Sequence, residues 1–189
     1  DIVAQNSARF PGRFIPVDEE LPTHPEPVAI VGYGASLKDT WEELLEYPVI
    51  FTCSGAHHFL LMRGIVPTYH AESDPQAHKV HMLGVPHPQV TYLPASICHP
   101  SYMNLLEDAG VKVLLWHLFL QDENMYRQVP TGDHLIPGGT IIGPRMMRLA
   151  RLLGYTNLHM YGIDGSGEHA DEHPNKKLYA HNRTVHYKD

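Results

Sequence analysis

The chain has 189 residues, enough for one domain at roughly 100 to 200 residues each and too few for two. Its 14 Lys and Arg against 21 Asp and Glu give a net charge of −7, the wrong sign for a surface that coats nucleic-acid phosphates. The 43% apolar content supplies a core, but the longest apolar stretches, such as residues 113–116, fall far short of the roughly 18 needed to cross a bilayer, so neither nucleic acid nor membrane is an expected partner.

Asp1-Ile2-Val3 opens the chain without a methionine, a basic segment or an apolar stretch of the kind a signal or transit peptide carries, and it reads as processed or as a fragment. Residues 16–27 hold four prolines and four acids, a stiff composition unsuited to a helix or an inner strand, so residues 1–27 are expected to form an extended arm. From residue 28 onward, short β-branched runs alternate with segments of helical period, the pattern of parallel strands joined by crossover helices. Strands are predicted at residues 28–31, 49–53, 68–71, 90–93, 111–116 and 158–161, and helices at 37–47, 57–63, 76–83, 100–109 and 144–153. The first helix follows from Leu37, Trp41, Leu44 and Leu45 on one face, with Pro48 as its stop. Residues 121–137 are polar and aperiodic and read as a functional flap. The main domain is expected over 28–170, and the tail 171–189 is expected to offer an edge strand through Tyr179, Thr184, Val185 and Tyr187.

Cys53 and Cys98 form no CxxC pair, which fits a reducing, cytoplasmic setting. The 15 histidines are the compositional outlier, and so widely scattered a set reads as mainly surface residues.

Four constellations carry chemistry. Gly32-Tyr33-Gly34-Ala35-Ser36-Leu37 turns from a strand into a helix, where outward-facing amides and the helix dipole receive phosphate. Ser36 and Asp39 have the spacing of a capping box. Leu37 replaces the third glycine of a dinucleotide fingerprint, and the second strand ends in Thr52-Cys53-Ser54 with no acid for a ribose, which disfavours NAD. Gly138-Gly139-Thr140-Ile141-Ile142-Gly143-Pro144 opens a second helix in the same way; Arg145 and Arg148 follow it and read mainly as solvated. Asp74 and Asp164 each follow a predicted strand, and their hard oxygens in one strand-end pocket suit Mg²⁺ bridged to phosphates. Finally, His169, Asp171 and His173 crowd the segment after Asp164, with Gly165, Gly167 and Pro174 making it irregular; one of these histidines is a candidate acid or base.

In their order, Val28-Ala29-Ile30-Val31-Gly32-Tyr33-Gly34-Ala35-Ser36-Leu37, then Arg63-Gly64-Ile65-Val66-Pro67 leading to Asp74-Pro75, then Gly138-Gly139-Thr140 with Leu149-Ala150-Arg151-Leu152-Leu153-Gly154, and Tyr161-Gly162-Ile163-Asp164 with His169-Ala170, resemble the 6-hydroxymethylpterin diphosphokinase-like proteins. Relatives of that family include flagellin-modifying glycosyltransferases. The resemblance implies an α/β, Rossmann-like open sheet, mainly parallel, of about six strands with helices on both faces. It implies a nucleotide-binding transferase, first a magnesium-dependent diphosphokinase acting from ATP on a hydroxymethylpterin-type acceptor. The alternatives are a sialyltransferase-like enzyme using a nucleotide sugar, which shares the glycine-rich opening, or a non-catalytic nucleotide-binding module. Gly32, Gly34 and Ser36 would hold phosphate, and Asp74 and Asp164 would face the nucleotide or its magnesium. Gly138, Gly139 and Thr140 would cradle a second anionic group, and His169 and Asp164 would serve catalysis near the acceptor. Ala35 stands where the family often has Pro, and Ser54 where it commonly has Asn at the nucleotide.

Overall fold

The computed structural model describes residues 2–15, 23–119, 129, 135–138 and 141–164. Six parallel strands form the central sheet: β1 (His24–Val31), β2 (Val49–Cys53), β3 (Tyr69–Glu72), β4 (Thr91–Pro94), β5 (Lys112–Val113) and β8 (Tyr155–Tyr161), in the spatial order β5-β4-β3-β2-β1-β8. Beside it lies a two-stranded parallel pair, β6 (His117–Leu118) and β7 (Leu135–Ile136).

The run of buried residues in β1 explains its place inside the sheet, between β2 and β8. Val28 and Ile30 enter one apolar cluster and Ala29 and Val31 the other, so both faces are covered, as a parallel sheet requires. In β2, Val49, Phe51 and Cys53 continue the first cluster and Ile50 the second. The second cluster is closed by the short helix α2 (Leu37–Thr40), the 3₁₀ turn Trp41–Glu46 and α3 (Ala56–Leu61), through Leu37, Leu44 and Leu60. The helix α6 (Ile142–Leu152) seals the first with Met146, Leu149 and Ala150. Two further helices, α4 (Lys79–Leu83) and α5 (Pro100–Asp108), lie in the crossovers from β3 to β4 and from β4 to β5. Pro25 and Pro27 sit in the first half of β1, before pairing with β2 begins at Val28, so their missing N–H groups interrupt only the β8 side, where the register shifts.

Three expectations are corrected. The N-terminal residues are not simply extended: Ile2–Arg9 form α1, whose buried Asn6 donates through Nδ2 to the carbonyls of Ser96 and Cys98 at 2.9 Å each. The helix over 37–47 is a single α-turn followed by 3₁₀ geometry, with Leu45 65% exposed, so only part of its apolar stripe reaches the core. The strand over 111–116 is cut to two residues, after which Trp116 turns to bridge Ala95. Parts of the flap over 121–137 and all of the tail over 171–189 lie outside the described residues.

Candidate active site at the strand ends

All six strands of the sheet point the same way, so the loops after β1, β2, β3 and β8 emerge at one end. The chain moves from β1 to β2 on one side and returns in β8 on the other, which makes the β1–β8 boundary the topological switch point where open α/β sheets form a ligand crevice.

At that boundary the first glycine loop is stitched to the end of β8. Gly32 N donates to Tyr161 O and Gly34 N to Gly162 O, each at 2.8 Å. Neither glycine has room for a side chain: a Cβ on Gly32 would stand 2.5 Å from Gly162 O, and one on Gly34 2.5 Å from Asp164 Oδ2. Ser36 does not cap its helix. It adopts helical backbone with no side-chain cap, and both its amide, at 2.8 Å, and its hydroxyl donate to the Asp164 carboxylate. The capping box with Asp39 is therefore not formed, and the amides of Gly32, Gly34 and Ser36 are engaged within the protein.

The second glycine segment reaches the same end through α6. A Cβ on Gly143 would lie 3.2 Å from Ile163 Cγ2, and one on Gly32 3.0 Å from Ile163 Cγ1, so Ile163 separates the two glycine corners. Gly138 lies against Arg145, which is 1% exposed and donates to the carbonyls of Ile136 and Phe119 at 3.3 and 3.4 Å; the expectation of a solvated Arg145 is corrected, because this guanidinium ties β6 and β7 to α6. Arg148 is exposed and, with Arg151, Gly138 and Pro137, lines a groove of about 470 Å³. Gly139, Thr140 and His169 lie outside the described residues.

A second corner lies at the ends of β2 and β3. Ser54 has φ +48, a left-handed conformation uncommon outside glycine and worth attention where loops gather at a strand end. Its Oγ accepts from Lys79 Nζ at 3.1 Å, and the same ammonium lies 3.5 Å from both Glu72 Oε2 and Asp74 Oδ2. Glu72 is 2% exposed, and its Oε1 accepts from the amides of Ser73 and Asp74; Asp74 Oδ1 accepts from Gln76 N. Burial raises the Glu72 carboxyl above its ordinary value, against the opposing pull of Lys79 and the two amides. Burial would lower Lys79, yet the two carboxylates outweigh it and hold the ammonium above its usual value.

Between the corners lies Tyr33, 45% exposed, its ring so close to Gly55 that a Cβ there would meet it at 2.6 Å. No sequence motif marks a role for Tyr33, Glu72 or Lys79. Tyr33 was legible only as an aromatic inside a glycine turn, and Lys79 as one more helix lysine.

Asp74 and Asp164 have different partners, Lys79 and Gln76 N for the first and Ser36 for the second. Their strands, β3 and β8, are separated by β2 and β1, about 14 Å at ordinary strand spacing. No group of three or more His, Cys, Asp or Glu among the described residues is placed to hold a metal.

A family model described as 6-hydroxymethylpterin diphosphokinase MptE-like matches residues 5–168. Among solved structures, the MAf glycosyltransferase from Magnetospirillum magneticum AMB-1 has the same fold, with a TM-score of 0.66 and 21% identity over 86% of this chain. That alignment takes up 26% of the glycosyltransferase, so the chain spans about a quarter of its length. No curated protein matches the sequence.

Proposed function

Because the chain belongs to the 6-hydroxymethylpterin diphosphokinase MptE-like family, we propose that it is a transferase that carries a group from a nucleotide donor to a hydroxyl of a small-molecule acceptor. The observation that carries this reading is the gathering of the Gly32–Ser36, Ser54, Asp74 and Asp164 loops at one end of an all-parallel sheet, at and beside its switch point.

In this reading Ser36 holds a donor oxyanion through the amide and hydroxyl that now hold Asp164. Tyr33 gives the donor's planar heterocycle a stacking face. Gly138, with Gly139 and Thr140 beyond the described residues, and Arg148 and Arg151 receive a second anionic group along the groove.

The donor we favour is a nucleotide sugar, because the chain shares its fold with the MAf glycosyltransferase. The acceptor oxygen bonds to the sugar carbon, the bond from that carbon to the phosphate oxygen breaks, and the nucleotide leaves with its charge on fixed donors. The acceptor proton passes to a base, for which His169 is proposed. The family description favours a second reading, in which a hydroxymethyl oxygen attacks the β-phosphorus of ATP and AMP leaves. Magnesium would then neutralise phosphate charge and be held mainly by the triphosphate.

The test is a thermal-shift panel of CMP, UDP, ATP and nucleotide sugars, with and without Mg²⁺, since a ligand of the folded state raises its melting temperature. A shift with nucleotide sugars and not ATP supports the first reading. Magnesium-dependent AMP release with a pterin supports the second. If no nucleotide moves the transition, the transferase proposal fails.

A further inference from the structure

An ammonium has three N–H donors, and Lys79 finds three oxygens: Ser54 Oγ at 3.1 Å, Glu72 Oε2 at 3.5 Å and Asp74 Oδ2 at 3.5 Å. The Lys79 side chain is 11% exposed and that of Glu72 3%, so this pair is largely closed to solvent, with Asp74 half-buried at the rim. A buried carboxylate needs a partner, and breaking a buried pair leaves a costly unpaired charge. The ammonium already occupies the space among these three oxygens, at 3.1 to 3.5 Å from each, so a divalent ion, which draws its ligands to about 2.1–2.4 Å, would have to displace it. The remaining carboxylate oxygens are also engaged, Glu72 Oε1 by two amides and Asp74 Oδ1 by Gln76 N.

We propose that the Lys79 ammonium is the resident cation of the β2–β3 strand-end corner, filling the position among Ser54, Glu72 and Asp74 that a divalent metal would need, so that this corner binds no metal and Asp74 positions its loop instead of ligating. The inference deepens the nucleotide-donor reading, because a donor seated there meets a corner in which the protein's own ammonium offsets one of the two carboxylate charges. Lys79 acts as a positioning residue: it ties the left-handed Ser54 turn to the β3–α4 loop.

The test uses the full chain, stripped with EDTA, and Mn²⁺ alone, followed by electron paramagnetic resonance. The wild-type protein is expected to hold no manganese that D74N removes. Stoichiometric manganese lost in D74N overturns the proposal. K79M is expected to lower the melting temperature by several degrees, and E72Q/K79M to recover part of that loss, because the second change removes the stranded carboxylate. A K79M protein as stable as wild type overturns the proposal, as does a double variant with no recovery; if K79M does not fold at all, folding of the double variant decides. Failure of every nucleotide in the thermal-shift panel would strike the transferase reading and leave the manganese result standing.

Discussion

Gly34 and Gly55 are both crowded, yet they answer substitution differently. A Cβ on Gly34 would meet Asp164 Oδ2 at 2.5 Å and the backbone oxygen of Gly162 at 2.7 Å, so G34A must shift the main chain where β1 joins β8. Overpacking of this kind costs about 1–3 kcal/mol, and urea unfolding of G34A is expected to show it. The nearest atoms to a Cβ on Gly55 all belong to the Tyr33 ring, a side chain that can swing away. G55A is therefore expected to leave the melting temperature nearly unchanged and to weaken nucleotide binding on the order of tenfold, the scale of one lost base–aromatic stack. Calorimetric titration with the nucleotide found in the thermal-shift panel checks this, and unchanged affinity would remove Tyr33 from the site. Both glycines sit in readable sequence, but only Gly34 belongs to a recognisable motif; the demand on Gly55 comes from a ring 22 residues earlier in the chain.

Among the elements, α1 shows what local pattern misses. Eight residues are too few to form a stable helix in water by themselves, and what fixes this one is Asn6 reaching the carbonyls of Ser96 and Cys98 about 90 residues away. N6A is expected to cost about 1–3 kcal/mol, the usual result of stripping the partner from buried carbonyls, and to speed amide exchange in α1 before the sheet. The layer between α3 and the sheet makes a pH prediction. His57 Nδ1 donates to Leu83 O at 3.2 Å and its Nε2 accepts from the Tyr92 hydroxyl at 2.9 Å, the pattern of a neutral imidazole. Burial, with smaller contributions from His58 and His87, lowers it to about 4 against the opposing bond to Leu83. Burial, then His57 and Lys79, likewise holds His70 well below the usual range. Unfolded, both protonate near 6.5, so between about 6.5 and 4 the unfolded chain binds more protons. Stability is accordingly full above pH about 6.5 and falls as the pH drops toward 4, by on the order of 3 kcal/mol from His57 alone. Urea midpoints at about pH 7.5 and about pH 4.5 measure the slope, and a flat profile would show that these imidazoles are not buried neutral. The composition makes histidine conspicuous without distinguishing these two from surface ones.

Across the whole molecule, both cysteines lie in the core cluster rather than at the crevice. Burial, followed by the charge of Glu72, pushes both thiols upward, away from the reactive thiolate. A thiol reagent is expected to label neither in the native protein and both in denaturant, with labelling that tracks global unfolding; rapid native labelling of either would mean that this core opens locally. The sheet that protects them was the most legible feature of the sequence. Parallel strands buried on both faces read as near-continuous apolar runs, as residues 28–31 do, and residues 49–53 apart from Thr52, whose hydroxyl is hydrogen-bonded to Tyr69 O and His70. The shortened fifth strand was not legible, because Trp116 continues the apolar run while its indole Nε1 is drawn to Leu93 O at 2.8 Å.

The sequence by itself determined the α/β class, the central strands, and the glycine turn between β1 and α2, because burial periodicity and glycine's freedom from a Cβ are local properties written residue by residue. Only the tertiary structure decided which charges meet. The strand order put β2 and β1 between Asp74 and Asp164, gave Asp164 to Ser36, and delivered Lys79 to Glu72. Electrostatic partners are set by distance in space, and that distance is fixed by sheet order and register, which no local pattern encodes.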